Sequence, residues 1–319
     1  MAYDNVIARG DVVMAEDYAN AIIDNAKDQS ITMTAFRRAT VSKAQQRFPV
    51  LSALPTAYWV NGDTGLKQTT EMAWTNKYLN IEELAAIVPV PENVIDDSDF
   101  DVWGEVRPKL ETAIARALDA AVIFGDSAPA SFPTNVRAAA IAAGNTVQVG
   151  TNTAAEGGTF GDLDDALEAI EDDGYDPDTW AANRKLKGLL RKARNSQGDR
   201  TDRDRVNADL TSFDGDPVIY GARGLWPAQG SGVKGLIAVG LDSTQFVLGV
   251  RKDITYKVLT EAVIQDNTGA IIYNLAQQDM VGLRVTFRAG WQVANPINYD
   301  QAVEANRYPA VVLETAAGA

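Results

Sequence analysis

The stretch QQDMVGLRVTFRAGWQVANP, Gln277 to Pro296, alternates between two characters. Val281, Leu283, Val285, Phe287, Ala289 and Trp291 make one apolar face, while Gly282, Arg284, Thr286, Arg288 and Gln292 make a polar, basic one. A period of two predicts a β-strand with one face covered. At ~3.3 Å per residue the run would span roughly 40 Å, about twice a common strand. A strand this long needs a long partner on its apolar face.

The partner is sought in DDSDFDVWGEVRPKLETAIARALDAAVIFGD. Trp103, Val106, Leu110, Ile114, Leu118 and Ala121 recur at helical spacing, Ser98 or Asp99 suits the N-cap, and Gly125 suits the C-terminal stop. The predicted helix, 98–125, would be about 39 Å long, and Pro108 is expected to kink or split it. Asp96–Asp101 also resembles the opening of a calcium loop. However, Val102 and Pro108 stand where the loop needs Gly and Glu, so the acids are read as a helix start.

Before the helix, residues 1–55 read as an arm with one helix near Glu16–Asp28 and extended RFPVLSALP. Ala57–Leu79 predicts two strands around the turn NGDTG, with Tyr58, Trp59, Trp74 and Tyr78 on the arms. A lone hairpin is marginal in water, so these aromatics must lean on something. Val88–Pro91 is read as extended. After the helix come a TVQVG strand, an acidic helix over 161–175 closed at Gly174, and a basic helical region over Trp180–Gly198. DPVIYG and GLIAVGL read as buried strands, and STQFVLGVRKDITYKVL with the turn DNTG leads antiparallel into the long strand.

The 319 residues include no cysteine and no histidine, which removes disulfides, thiolate and imidazole catalysis, and most zinc sites. No apolar run approaches ~18 residues, so no membrane span is expected. GSGVKG at Gly230–Gly235 fits a phosphate-loop pattern, but a strand follows it where a helix is required. No cofactor is expected. The net charge of −14 opposes tight binding of nucleic acid.

Charge is segregated in the middle of the chain. From Glu156 to Asp178 every charged residue is acidic, including Asp162, Asp164, Asp165 and Glu168. From Arg184 to Arg205 they are mostly basic, including Lys185, Arg191 and Arg194. A solvated surface is one reading. Head-to-tail complementarity between copies in a ring is another, preferred over nucleic-acid binding because no stacking aromatics accompany the basic block.

In order, the arm ending RFPVL, the AYWVNGDTGLKQTTEMAW hairpin, the VPVPENV-to-GD helix region, GDPVIYGARG, VGLDSTQFVLGVRKDITYKV and QDMVGLRVTFRAGWQVANP resemble tailed-bacteriophage major capsid proteins. Encapsulins and the herpesvirus capsid floor share that fold. The resemblance implies an α+β capsid fold: an N-terminal arm (1–55), an extended loop (56–82) lying across a neighbour, a peripheral domain (83–132 and 246–319) with a spine helix on the long strands, and an axial domain (133–245). It implies a shell of hexamers and pentamers around double-stranded DNA, assembled in the bacterial cytoplasm, with portal and decoration proteins as partners. A separate scaffolding protein is expected from the short stretch before the loop. The inter-subunit candidates are Tyr58, Trp59, Lys67, Trp74, Asp266, Asp279, Arg284 and Arg288. Relatives that cross-link themselves use a loop lysine, an asparagine and a glutamate. The matching positions here are Lys67, Asp279 and Thr286, and neither a carboxylate electrophile nor a threonine base supports that reaction. No covalent link is expected. An encapsulin-like compartment and a carboxylate-based enzyme are the competing functions.

Overall fold

A computed structural model describes residues 30–60, 66–67, 69–93, 102–194, 196–199, 205–222, 224–226, 234–251, 255–266 and 268–317. The predicted helix at Glu16–Asp28, the turn Asn61–Gly65, the helix start at Ser98–Asp99 and most of the GSGVKG loop lie outside them.

In chain order the elements begin with a short helix α1 (Ile31–Ala35) and strands β1 (Arg37–Thr40), β2 (Gln45–Ala53), β3 (Ala73–Asn80) and β4 (Glu82–Pro91). The long helix α2 (Val102–Asp119) widens into one π-helical turn at Ala120–Phe124. Next come α3 (Val136–Ala143), β5 (Thr146–Gln148), α4 (Thr159–Glu171), β6 (Thr179–Ala182) and α5 (Lys185–Lys192). The chain continues through β7 (Ser212–Phe213), β8 (Asp216–Tyr220), β9 (Lys234–Leu241), β10 (Phe246–Val250), β11 (Thr255–Leu259), β12 (Val263–Gln265) and β13 (Ile271–Asn274). It ends with β14 (Met280–Val293) and β15 (Ala310–Ala317).

The long strand exists as predicted, and its length has a topological cause. On one edge β14 pairs with β4 from Met280 to Ala289. On the other edge it carries two short strands end to end, β11 opposite Gly282–Thr286 and β10 opposite Ala289–Val293. All three pairings are antiparallel, and β1 completes the sheet in parallel with β10. A strand that must span two shorter neighbours in tandem cannot be of ordinary length.

The apolar face of β14 is covered as expected. Leu283, Val285, Phe287, Ala289 and Trp291 share one buried cluster with Leu110, Ile114, Leu118 and Val122 of α2 and its π turn. Gly125 closes that turn at φ +78, a left-handed conformation that glycine adopts without steric cost. Pro108 is carried inside α2 without ending it, contrary to the expected split. Its carbonyl still accepts from Thr112 Oγ1 at 2.8 Å.

A second sheet runs in the order β5-β15-β9-β6-β8-β7. β9 is buried from Gly235 onward, because the main cluster lies on one face and α4 and α5 on the other. A strand covered on both sides reads as an unbroken apolar run, which is why LIAVGL shows no alternation.

Four expectations need correction. The first arm of the hairpin is β2, not the Tyr58 segment: Gln45 pairs with Asn80 and the register runs to Ala53 opposite Ala73. Pro55 removes an N–H donor just past that point and restrains the residue before it, so pairing stops there. The arm boundary at residue 55 therefore falls inside the hairpin. Within the arm Ile31, Met33 and Phe36 are buried, and Phe36 stacks on Phe246 with centroids 4.7 Å apart. Trp180 lies in the buried strand β6, and only Lys185–Lys192 of the predicted helical region is an α-helix. Finally, β15 leaves the long-strand sheet and pairs between β5 and β9, so residues 310–317 do not stay with 246–309.

Candidate assembly surfaces

The β2–β3 hairpin is the most unusual surface. Trp59 is 100% exposed, Trp74 60%, and Tyr58, Leu66, Met72 and Tyr78 are also exposed. Lys67 is exposed on the same loop. Large apolar side chains gathered on one projecting element are what an interface core looks like before it is covered. The base of the hairpin, in contrast, is held to the body. Gln292 Nε2 donates to the Tyr78 carbonyl at 2.8 Å and Ile297 N to that of Leu51 at 3.1 Å. Tyr299 Oη donates to the Pro55 carbonyl at 2.9 Å, and Lys77 pairs with Glu304 at 2.8 Å. The Lys77 hydrogen bond holds the Glu304 carboxyl below its ordinary range.

The even face of β14 is the less covered side of the long sheet, with Arg284, Arg288 and Gln292 half-buried among buried Gly282, Thr286 and Gly290. Cross-strand partners share a face. The register therefore places Arg284 beside Lys257 and Ile87, Arg288 beside Glu83, and Gln292 beside Val247. Arg37, opposite Val247, joins the same face. Arg288 is answered by Glu83 at 2.8 Å. The Nε of half-buried Arg284 meets no acceptor among the described residues. In a chain of net charge −14 this face is locally basic. Thr286 is buried between the two arginines. Asp279 sits outside the strand at φ +49 as an exposed turn residue, and its carbonyl accepts from Glu92 N at 2.8 Å. The asparagine-and-glutamate positions of the cross-linking relatives thus hold an exposed acid and a buried hydroxyl.

Asp266 is committed to its own turn. Its Oδ1 accepts from Thr268 N, Thr268 Oγ1 and Ala270 N at 2.7–2.9 Å, which lowers the carboxyl from the ordinary value, the Thr268 hydroxyl contributing most.

The charged blocks divide. Asp164, Asp165 and Glu168 are exposed on α4, and Arg184, Lys185 and Arg191 are exposed at α5. Arg194 turns inward and donates to the carbonyls of Arg191 and Ala193. Asp162 does not belong with them. It is 0% exposed and accepts from Gly150 N at 2.7 Å and Asn152 N at 3.0 Å, so it organises a loop and cannot touch a neighbour. Arg205 is also engaged within the chain. It bridges Asp164, at 2.6 Å, and Asp214, and these acids push its pKa up, the Asp214 hydrogen bond most. Part of the expected inter-copy pairing is therefore made inside one subunit.

Two features carry no sequence motif, the buried Asp119 and Arg307, and a third, the glycine pair Gly249–Gly290, carries a faint one. The Arg307 guanidinium is buried and donates to the carbonyls of Asn295, Pro296, Gln301 and Ala302 at 2.8–3.3 Å, fixing the link from β14 to β15. An arginine in a loop signals none of this. Two glycines inside strands do signal a close backbone approach, and that clue stood in the sequence.

A sheet-backed helix, an exposed aromatic hairpin and a half-open basic sheet face are features of a structural subunit. The sequence profile of the phage capsid family matches residues 10–298, and the chain belongs to that family. It is 24% identical over 316 residues to the major capsid protein of Staphylococcus phage 80alpha, covering 95% of this chain and 89% of that one. A solved chain from Microbacterium phage Oxtober96 superposes with a TM-score of 0.78 at 36% identity, covering 90% of this chain and 91% of that one. One from Mycobacterium phage Adephagia gives 0.78 at 30% identity and 91% coverage of both. The function is that of a phage major capsid protein, a structural component of the virion shell and not an enzyme. Proteins of this kind assemble into icosahedral shells.

Proposed function

We propose that the subunit forms hexamers and pentamers of a shell around double-stranded DNA, and that its β2–β3 hairpin lies across the half-open, basic face of a neighbour's long sheet. The observation that carries this reading is the coexistence of an exposed aromatic hairpin with a basic sheet face whose Arg284 and Arg288 are left half-open. In this arrangement the sheet built on β14 with α2 is the peripheral domain, and the sheet built on β9 is the axial domain around the ring axes. The exposed acids of α4 and bases of α5 then face one another between copies. Lys67 makes a salt bridge to an acid of the neighbour in place of a covalent bond. Scaffolding, portal and decoration proteins, and assembly in the host cytoplasm, follow from the family resemblance.

The test is assembly of the purified chain with residues 54–72 replaced by a two-residue Asn-Gly turn. The reading requires that the shortened chain fold and fail to form shells. Shells of ordinary size and yield would overturn it.

A further inference from the structure

Gly249 and Gly290 face each other directly across β10 and β14. Neither has a positive φ, so neither is glycine for the sake of backbone conformation. What both provide is space. A Cβ on Gly290 would lie 1.8 Å from the Asn80 carbonyl oxygen and 2.8 Å from its carbon. A Cβ on Gly249 would lie 2.4 Å from Leu79 Cδ2, 3.0 Å from Val41 Cγ2 and 3.1 Å from Ile81 Cδ1. The two missing side chains form a notch in the sheet, and the chain at Leu79–Ile81 sits in it.

That chain segment is where the hairpin joins the body. β4 follows β14 as far as Glu82 opposite Ala289. The next pair would set Ile81 against Gly290. The strand instead leaves the ladder and passes over the even face of β14. There Leu79 packs with Val41 and Val247, and the Tyr78 carbonyl takes its hydrogen bond from Gln292. From this crossing the hairpin runs eight residues to Ala73, about 27 Å at ~3.4 Å per residue. A small change of height or tilt at the notch is multiplied over that length.

We infer that the Gly249–Gly290 notch is the pivot that sets the angle at which the hairpin leaves the subunit, and through it the curvature of the shell. The inference rests on the proposed docking of the hairpin on a neighbour: where the tip lands fixes the angle between adjacent copies. Gly249 and Gly290 act as positioning residues. They touch no neighbour themselves and act through Leu79 and Asn80.

The test uses Gly249→Ala, because the atom nearest the new methyl is the movable end of Leu79, whereas Gly290→Ala meets backbone. The double variant Gly249→Ala/Leu79→Ala returns that space. Each chain is assembled, particle diameters are measured by electron microscopy, and thermal midpoints of the unassembled subunits are recorded. Gly249→Ala is expected to give particles whose diameters fall outside the wild-type spread, or open and tubular sheets, with the subunit still folded. Adding Leu79→Ala is expected to bring the diameter back. Wild-type diameters from Gly249→Ala, or aberrant ones that Leu79→Ala does not correct, overturn the inference. So does misfolding of Gly249→Ala that the second substitution fails to rescue, because the glycines would then serve folding alone. The Asn-Gly replacement of residues 54–72 separates the two claims. If that chain still assembles, the hairpin reading fails. If it does not, and Gly249→Ala leaves the diameter unchanged, the pivot fails alone.

Discussion

Ser30 Oγ donates a 2.7 Å hydrogen bond to Asp119 Oδ1, joining two residues 89 positions apart in the chain. The backbone N–H groups of Ile31 and Thr32 complete the set at 2.9 Å each. One buried carboxylate at the end of α2 thus satisfies the donors at the start of α1 and pins the arm to the long helix.

Replacing Asp119 by Ala removes the acceptor of all three donors. The expected cost is about 1–3 kcal/mol, the penalty of a buried donor left without its acceptor. Burial raises the Asp119 carboxyl above 3.8, despite these hydrogen bonds. A raised native pKa means the native state holds this proton more tightly than the unfolded chain. The group's contribution is then full below the unfolded value and falls as pH rises through the native one. The cost of Asp119→Ala should be larger near pH 4 than near pH 7, read from urea midpoints of the unassembled subunit. A cost that grows with pH would contradict this.

Trp59 is fully exposed, so Trp59→Ala should leave the unassembled subunit's thermal midpoint unchanged to within about 1–2 °C, as for surface substitutions generally. Shell yield should fall by tenfold or more, the scale of a truncated aromatic anchor at an interface. Sedimentation of assembled against free subunit measures both outcomes. Equal yields would show that the exposed ring has no partner.

Particles boiled in denaturing detergent should run as a single band near 34.3 kDa. A ladder of multimers would show that Lys67 finds an electrophile after all.

Arg205→Ala and Arg191→Ala should behave differently although both lie in the basic block. Arg205 bridges two acids inside the chain, so its loss should lower subunit stability by about 1 kcal/mol, reflecting partly exposed charge-assisted bonds. Arg191 is exposed, so its loss should spare the fold and alter the salt dependence of assembly. Salt titrations of assembly beside thermal melts separate the two.

Legibility in the sequence followed the physics of each signal. The period of β14 and of α2 could be read because each has one covered face, and hydrophobic alternation records that directly. The sequence places the hairpin but shifts its first arm, because Gln45–Ala53 is one strand of a two-stranded ribbon, with Pro49 inside it and little of its surface buried. Trp180 was placed in a helix because a strand covered on both faces has no period to read. Of the interface candidates, Tyr58, Trp59 and Trp74 are exposed, while Asp162 is buried, because a carboxylate that caps a loop and one that faces outward have the same letter. Arg307 and Asp119 leave no trace in the sequence, since the partners of Arg307 are backbone carbonyls and those of Asp119 are two backbone N–H groups and a hydroxyl 89 positions away.

The two sheets share a property of timing. β1 pairs with β10, and β4 with β14, so the earlier strands wait for partners made much later in the chain. The second sheet likewise waits for β15, which lies between β5 and β9. A growing chain on the ribosome cannot close either sheet until those strands have been made. Contacts this distant in sequence fold slowly. Neither sheet face that a subunit could offer a neighbour is therefore complete before β14 and β15 are in place.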